Sequence, residues 1–193
     1  LATSSFGQGF SITPIQLVSA ISAVINGGNL MKPQIVKEIR NSDGVVIEKI
    51  EPRVICNTVS ESTSEFLRDA FYLTVQEGTA KAAQVEGYLV GGKTGTAQKL
   101  PRSDGRYLVS FIGCVPADDP QVMIYVVVDE AADEELQSKA SIASGLAGDI
   151  LEEALPYLKI YPDTDIQYPS FVIDEDDVKM QEGEIGDTGV VYD

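Results

Sequence analysis

Just after Thr13-Pro14, apolar residues recur every three or four positions: Ile15, Val18, Ile21, Val24 and Ile25, up to a stop at Gly27-Gly28. Thr13 supplies a capping hydroxyl, and Pro14 a first helical residue whose missing N–H costs nothing. This helix is apolar on most sides, which predicts burial. Residues 31–50 read as two short strands around the turn Ser42-Asp43-Gly44. A second helix is predicted to start near Ser60–Ser62, where Ser62 and Glu65 have capping-box spacing. Phe66, Leu67, Ala70, Phe71 and Val75 then share a face, and Gly78 ends the run. From Tyr88 the period becomes that of strands. Residues 88–98 are followed by a loop with Asp104-Gly105, then residues 107–115, the turn Pro116-Ala117-Asp118-Asp119-Pro120, and residues 122–129. The run Val122–Val128 is almost continuously apolar, which predicts cover on both faces of the strand. A last helix, about residues 138–155, carries Ile142, Leu146, Ile150, Leu151 and Leu155 on the side expected to cover one face. The first helix is the expected cover for the other. The class predicted is α+β, an antiparallel sheet of three strands covered by helices.

Charge divides the chain. Of 193 residues, 14 are Lys or Arg and 30 are Asp or Glu, a net charge of −16. Residues 161–193 hold ten acids and one base, Lys179, so this stretch carries −9 and residues 1–160 carry −7. Pro162 and Pro169 break it, no apolar periodicity follows, and it reads as an acidic extension of a folded unit at 1–160. So acidic a surface repels phosphate backbones, which argues against nucleic-acid binding. The absence of His removes Ser-His-Asp and Cys-His nucleophile systems and most zinc sites. Cys56 and Cys114 are far from C-x-x-C spacing, which excludes a metal knuckle or redox motif; no metal and no cofactor are expected. No apolar run is long enough to cross a bilayer.

The stretch that carries chemistry is Gly91-Gly92-Lys93-Thr94-Gly95-Thr96-Ala97-Gln98. On a strand, side chains alternate between faces, so Lys93 and Gly95 are expected on one side and Thr94 and Thr96 on the other. A glycine beside a lysine removes bulk and lets another backbone approach. On a sheet edge, an extended peptide could add alongside through main-chain hydrogen bonds. Lys93 would contribute positive charge there, and the Thr96 hydroxyl a donor to a carboxylate. The same word also fits a bent edge strand whose lysine merely deters aggregation.

Order along the chain separates these readings. Phe6-Gly7-Gln8-Gly9 with Thr13-Pro14-Ile15-Gln16-Leu17 resembles the G-Q-G…T-P-x-Q-L helix entry of the transpeptidase domain of class B penicillin-binding proteins. Asn26-Gly27-Gly28, Glu77-Gly78-Thr79-Ala80, Gly92–Gln98, Ser110-Phe111-Ile112-Gly113 and the Pro116–Pro120 turn resemble that family's later words in the same order. Together they cover about residues 5–160.

The resemblance implies a penicillin-binding, serine β-lactamase-like fold whose five-stranded sheet takes two strands from segments before Leu1. It also implies a peptidoglycan D,D-transpeptidase that cross-links stem peptides by serine acyl transfer. The family needs S-x-x-K, S-x-N and K-T-G. No serine here has Lys three residues on or Asn two residues on, so only the third motif is present. The chain is expected to be the C-terminal part of the domain, inactive by itself, with its nucleophile upstream in a parent protein. The resemblance gives Lys93 a role in charge stabilisation and proton transfer. Thr96, with Thr94, would bind the terminal carboxylate of a D-Ala-D-Ala stem peptide or of a β-lactam, and the Thr96 N–H would form half of an oxyanion hole. Gly95 would keep the strand open, and Gln98 would touch ligand at its end. Expected partners are the stem peptide, β-lactams and the rest of the parent domain, with self-association of the chain as a further possibility. The implied location is the extracytoplasmic face of the cell membrane, through an upstream anchor. A non-catalytic binding module or scaffold of the same fold is the alternative.

Overall fold

A computed structural model describes residues 11–133 and 135–162. The acidic extension beyond Pro162 and the Phe6–Gly9 segment lie outside these described residues.

Helix α1 spans Pro14–Ile25. Thr13 caps it: its hydroxyl accepts from the Gln16 N–H, and the Gln16 side chain accepts from the Thr13 N–H at 3.1 Å. Two left-handed glycines end it, Gly27 at φ +81° and Gly28 at φ +90°. A β-carbon on Gly28 would lie 2.0 Å from the Val59 carbonyl oxygen, so only glycine fits. Burial of α1 is partial, against expectation. Ala23 and Ile25 are buried, whereas Ile15 is 57% exposed. The helix packs through its C-terminal half, against β1, α2 and β7, and the described residues put nothing over its first turn.

Four short strands follow. β1 (Asn29–Met31) pairs antiparallel with β4 (Val54–Asn57), and β2 (Glu38–Arg40) with β3 (Val46–Lys49). The expected hairpin is β2–β3: the Asn41 side-chain oxygen accepts from the Asp43 and Val45 N–H groups, and Gly44 takes φ +79°. Met31 belongs instead to β1, whose partner β4 is not marked by any alternation in the sequence.

Helix α2 spans Glu61–Gln76. Its cap is Ser60, two residues before the expected Ser62, because Ser60 is the one with extended backbone and its hydroxyl reaches the Thr63 N–H at 3.1 Å. Ser64, Tyr72 and Val75 are its buried residues, and Phe66, expected inside, is 70% exposed. Ser64 and Arg68 bind α2 to the end of α1. The Gly27 N–H donates to the Ser64 hydroxyl at 2.9 Å, and the Arg68 guanidinium donates to the Ile25 carbonyl at 3.2 Å. The second satisfies one of the carbonyls that the C-terminal end of a helix leaves open.

The main sheet has the order β5-β6-β7, antiparallel throughout, with β5 at Gly91–Gln98, β6 at Tyr107–Val115 and β7 at Val122–Asp129. β5 begins three residues later than the pattern indicates. Gly87 turns at φ +79°, and the Tyr88 hydroxyl reaches out of the ladder to the Ile160 carbonyl at 3.0 Å. Helix α3 (Ser141–Tyr157) covers one face. Its buried side is Ala143, Ser144, Ala147, Gly148, Leu151 and Leu155; Leu151 and Leu155 face the core as expected, while Leu146 and Ile150 are exposed. Small residues let the helix approach closely: a β-carbon on Gly148 would sit 3.0 Å from the Ala82 carbonyl oxygen. Phe111, Val109, Val115 and Val126 from the sheet meet Leu151, Leu155, Val75, Ala80 and Ala83 in this core. Among the described residues β7 is covered along its whole length on that face only. Val126 is buried but Val127 is 39% exposed, since α1 reaches only the start of the strand, where the Ser22 hydroxyl meets the Met123 sulfur at 3.1 Å. No helix among the described residues is long and apolar enough to cross a membrane.

Candidate active site

β5 is an edge of its sheet, hydrogen-bonded to β6 on one side with no paired strand on the other among the described residues. The pairing runs without a shift from Gly91 opposite Cys114 to Gln98 opposite Tyr107. With no bulge to re-aim them, side chains alternate as expected. Lys93 and Gly95 lie over Ile112 and Ser110; Gly92, Thr94, Thr96 and Gln98 lie over Gly113, Phe111, Val109 and Tyr107.

Glycine places this strand. Gly92 and Gly113 face each other across the ladder, and the fully buried Phe111 ring lies over both. A β-carbon on Gly92 would be 2.4 Å from the ring, and one on Gly113 would be 2.7 Å from it. The ring fills the space two side chains would need and seats the strand one residue before Lys93. At Gly95 the neighbour is the Ser110 hydroxyl, 2.7 Å from where a β-carbon would be. Gly95 therefore leaves the strand flat beside Lys93.

Lys93 is exposed, and its ammonium folds along its own strand to donate to the Thr94 carbonyl at 2.9 Å. Among the described residues it joins no ion pair. Lys99, just past the strand, is the opposite case: Asp129 at 2.8 Å and Glu130 at 2.6 Å bracket it. Those hydrogen bonds hold Lys99 above the usual lysine range, and the bond from Lys99 holds Glu130 below the usual carboxylate range. Arg106 joins Glu130 at 3.2 Å and Asp104 at 3.1 Å, so the 99–106 loop is pinned by charge. Among the described residues Lys93 thus lacks the carboxylate partners that hold Lys99.

Gln98 turns back into this loop, its amide donating to the Arg102 carbonyl at 3.1 Å. The Thr94 hydroxyl meets that of Thr79 at 2.8 Å. Lys93, Gly95, Thr94 and Thr96 therefore come together on one free edge, while Gln98 is engaged away from it. Thr79, Ser110 and Phe111 support the site and were missed as such. They stand inside the recognised words E-G-T-A and S-F-I-G, which was the only signal they carried. A concavity of about 410 Å³ at Gln34–Lys37 and Lys49–Pro52 is lined by no β5 residue. Among the described residues no group of three His, Cys, Asp or Glu side chains is placed to hold a metal ion.

Residues 1–152 match the family model described as the penicillin binding protein transpeptidase domain. The chain belongs to this penicillin-binding protein transpeptidase family. It is 46% identical to stage V sporulation protein D of Bacillus subtilis over 167 residues, 83% of this chain and 25% of that protein. It is 32% identical to a peptidoglycan D,D-transpeptidase FtsI homolog of Mesostigma viride, over 83% of this chain and 29% of that protein. Penicillin-binding protein 3 of Mycobacterium tuberculosis, solved in complex with ampicillin, superposes with a TM-score of 0.71 at 30% identity, over 84% of this chain and 38% of that one. The apo transpeptidase domain of Burkholderia pseudomallei penicillin-binding protein 3 gives 0.68 at 28% identity, over 86% and 48%. The chain thus spans about a quarter of the length of the curated relatives named here. The α+β architecture is that of the penicillin-binding transpeptidase domains, and this chain is part of one.

Proposed function

We infer that this chain supplies the K-T-G wall of the active site in a serine-type peptidoglycan D,D-transpeptidase. The observation that carries this reading is the free edge of β5. It sets an unpaired lysine, two threonines on the opposite face and an open backbone side by side, with no bulky side chain at Gly95.

The chemistry follows from those groups. An extended peptide ending in D-Ala-D-Ala lies along the edge, and a serine from elsewhere in the parent attacks the carbonyl of the penultimate residue. The oxygen gains negative charge as the tetrahedral intermediate forms. The Thr96 N–H is one donor to it, and a main-chain N–H at the nucleophile is the other; a preorganised donor of this kind is worth about 10²–10³ in rate. Lys93 lowers the free energy of the carboxylate-bearing substrate and of the proton transfers that release the terminal D-Ala. The Thr96 and Thr94 hydroxyls receive the terminal carboxylate. An amine of a second stem peptide then takes the acyl group, completing the cross-link. A β-lactam carries the same carboxylate and acylates the serine without being released. The parent is anchored in the cell membrane with this domain outside the cell. Its remaining segments pack on the outer edge of β7 and the bare side of α1; self-association of the isolated chain would use the same surfaces.

Labelling by a fluorescent penicillin tests the reading. The parent enzyme is expected to form a covalent band, this chain alone none, and Lys93→Ala in the parent is expected to label about two orders of magnitude more slowly. Labelling of Lys93→Ala at the wild-type rate removes the catalytic assignment. It would leave the second reading, a peptide-binding module built on the same edge of β5.

A further inference from the structure

We propose that Thr79 is a positioning residue of the carboxylate-binding edge, acting through the hydroxyl of Thr94. The inference deepens the reading of β5 given above and rests on it. Nothing in the family words gives Thr79 a task; its position in the fold does.

Thr79 sits in the short segment between α2 and the single 3₁₀ turn Lys81–Ala83. That segment is rigid. The N–H groups of Gly78 and Ala80 both donate to the Thr74 carbonyl, at 3.1 and 3.2 Å, and the Ala83 N–H donates to the Ala80 carbonyl at 2.9 Å. Gly78 is obligatory there, since a β-carbon would lie 2.8 Å from the Thr74 carbonyl oxygen. On the far side of Thr79, Ala80 and Ala83 are fully buried in the core with Ala143, Ala147 and Leu151 of α3. A fixed loop therefore holds an exposed hydroxyl 2.8 Å from that of Thr94, a half-buried residue of the edge strand.

Proton counting gives this contact a direction. Each hydroxyl has one hydrogen to donate and two lone pairs that accept. If Thr94 donates to Thr79, its hydrogen is spent. If Thr79 donates to Thr94, the Thr94 hydrogen is left for an incoming acceptor. A carboxylate only accepts, so its arrival selects the second arrangement: Thr79 O–H to Thr94 O–H to carboxylate. Each bond in such a chain polarises the next, which makes Thr94 a stronger donor than an isolated threonine. Thr79 also fixes the side-chain rotamer of Thr94, so the donor points to one place before substrate arrives. It never touches the ligand.

The test uses the parent transpeptidase and the saturation kinetics of acylation, which separate the dissociation constant of the initial complex from the acylation rate constant. Thr79→Val removes the hydroxyl and keeps the branched shape, whereas Thr79→Ser keeps the hydroxyl. Two probes are compared, a penicillin with its free carboxylate and the same penicillin as a methyl ester. Thr79→Val is expected to weaken the initial complex with the carboxylate form about 3- to 10-fold, the scale of one neutral hydrogen bond. The esterified form is expected to change by less than about 2-fold, and Thr79→Ser to restore wild-type values. Equal losses on both probes would overturn the proposal by reducing Thr79 to a structural residue, as would a Thr79→Val enzyme unchanged on the carboxylate probe. Failure here alongside a slow Lys93→Ala enzyme condemns only the role of Thr79; a fast Lys93→Ala enzyme condemns the reading beneath it.

Discussion

Replacing Gly92 by alanine puts one methyl group where the structure has no room. The new carbon would stand 2.4 and 2.6 Å from the Phe111 ring and 2.7 Å from the Ile112 carbonyl oxygen. None of these yields cheaply. The ring belongs to a fully buried residue packed in the core, and the oxygen is the main chain of the adjacent strand. Overpacking of this kind costs about 1–3 kcal/mol, and a clash with both backbone and a locked ring puts Gly92→Ala near the upper end. For a domain of this size, about 3 kcal/mol lowers Tm by about 6–12 °C, readable by thermal unfolding followed by circular dichroism. Trimming the ring isolates the cause: Phe111→Leu is destabilising alone, but the two changes together should be less harmful than their separate effects imply, by about 1 kcal/mol or more of favourable coupling. The methyl also pushes β5 away from β6 next to Lys93, so acylation of the parent by penicillin should fall with stability. A Gly92→Ala protein melting with wild type, or a strictly additive double variant, refutes the argument that this ring seats the strand.

The remaining predictions concern Cys114, which lies opposite Gly91 and is fully buried; burial pushes its thiol up to about 12, with Arg68 partly opposing. In the folded state the thiol keeps its proton to higher pH than in the unfolded chain. Its contribution to stability is therefore whole below the ordinary thiol range near 9 and is lost as pH rises toward 12, a change on the order of a few kcal/mol. Melting temperatures between about pH 8 and about pH 11 should fall more steeply for wild type than for Cys114→Ala; parallel slopes would contradict the assignment. Under native conditions iodoacetamide should modify the exposed Cys56 and spare Cys114, and a second adduct by mass spectrometry would show that the thiol is accessible.

The parts of this fold that could be read from sequence are those where one local signal suffices. The bounds of β6 and β7 follow from apolar runs closed by turn residues, and the start of α1 follows from Thr13-Pro14, because both patterns act within a few residues. Elements whose placement depends on a neighbour were misread. α3 turns Ala143, Ala147 and Gly148 to the core rather than Leu146 and Ile150, since the alanines of residues 82–83 leave space only for small side chains. β4 escaped notice because all four of its residues are exposed and nothing in them alternates. For the site, Lys93 to Thr96 were legible as a word, and strand alternation placed them on the correct faces. The contact between Thr79 and Thr94 spans 15 residues and joins two hydroxyls with no charge or period to announce them, so only coordinates bring it out.

Whether the free edge of β5 receives the carboxyl end of the acyl donor is measured directly by the structure of the parent enzyme acylated by penicillin. The acyl carbonyl oxygen is expected about 2.7–3.1 Å from the Thr96 main-chain nitrogen, with the antibiotic's carboxylate beside the hydroxyls of Thr94 and Thr96. An acyl group bound to the serine but turned away from β5, with that edge still facing solvent, would contradict it.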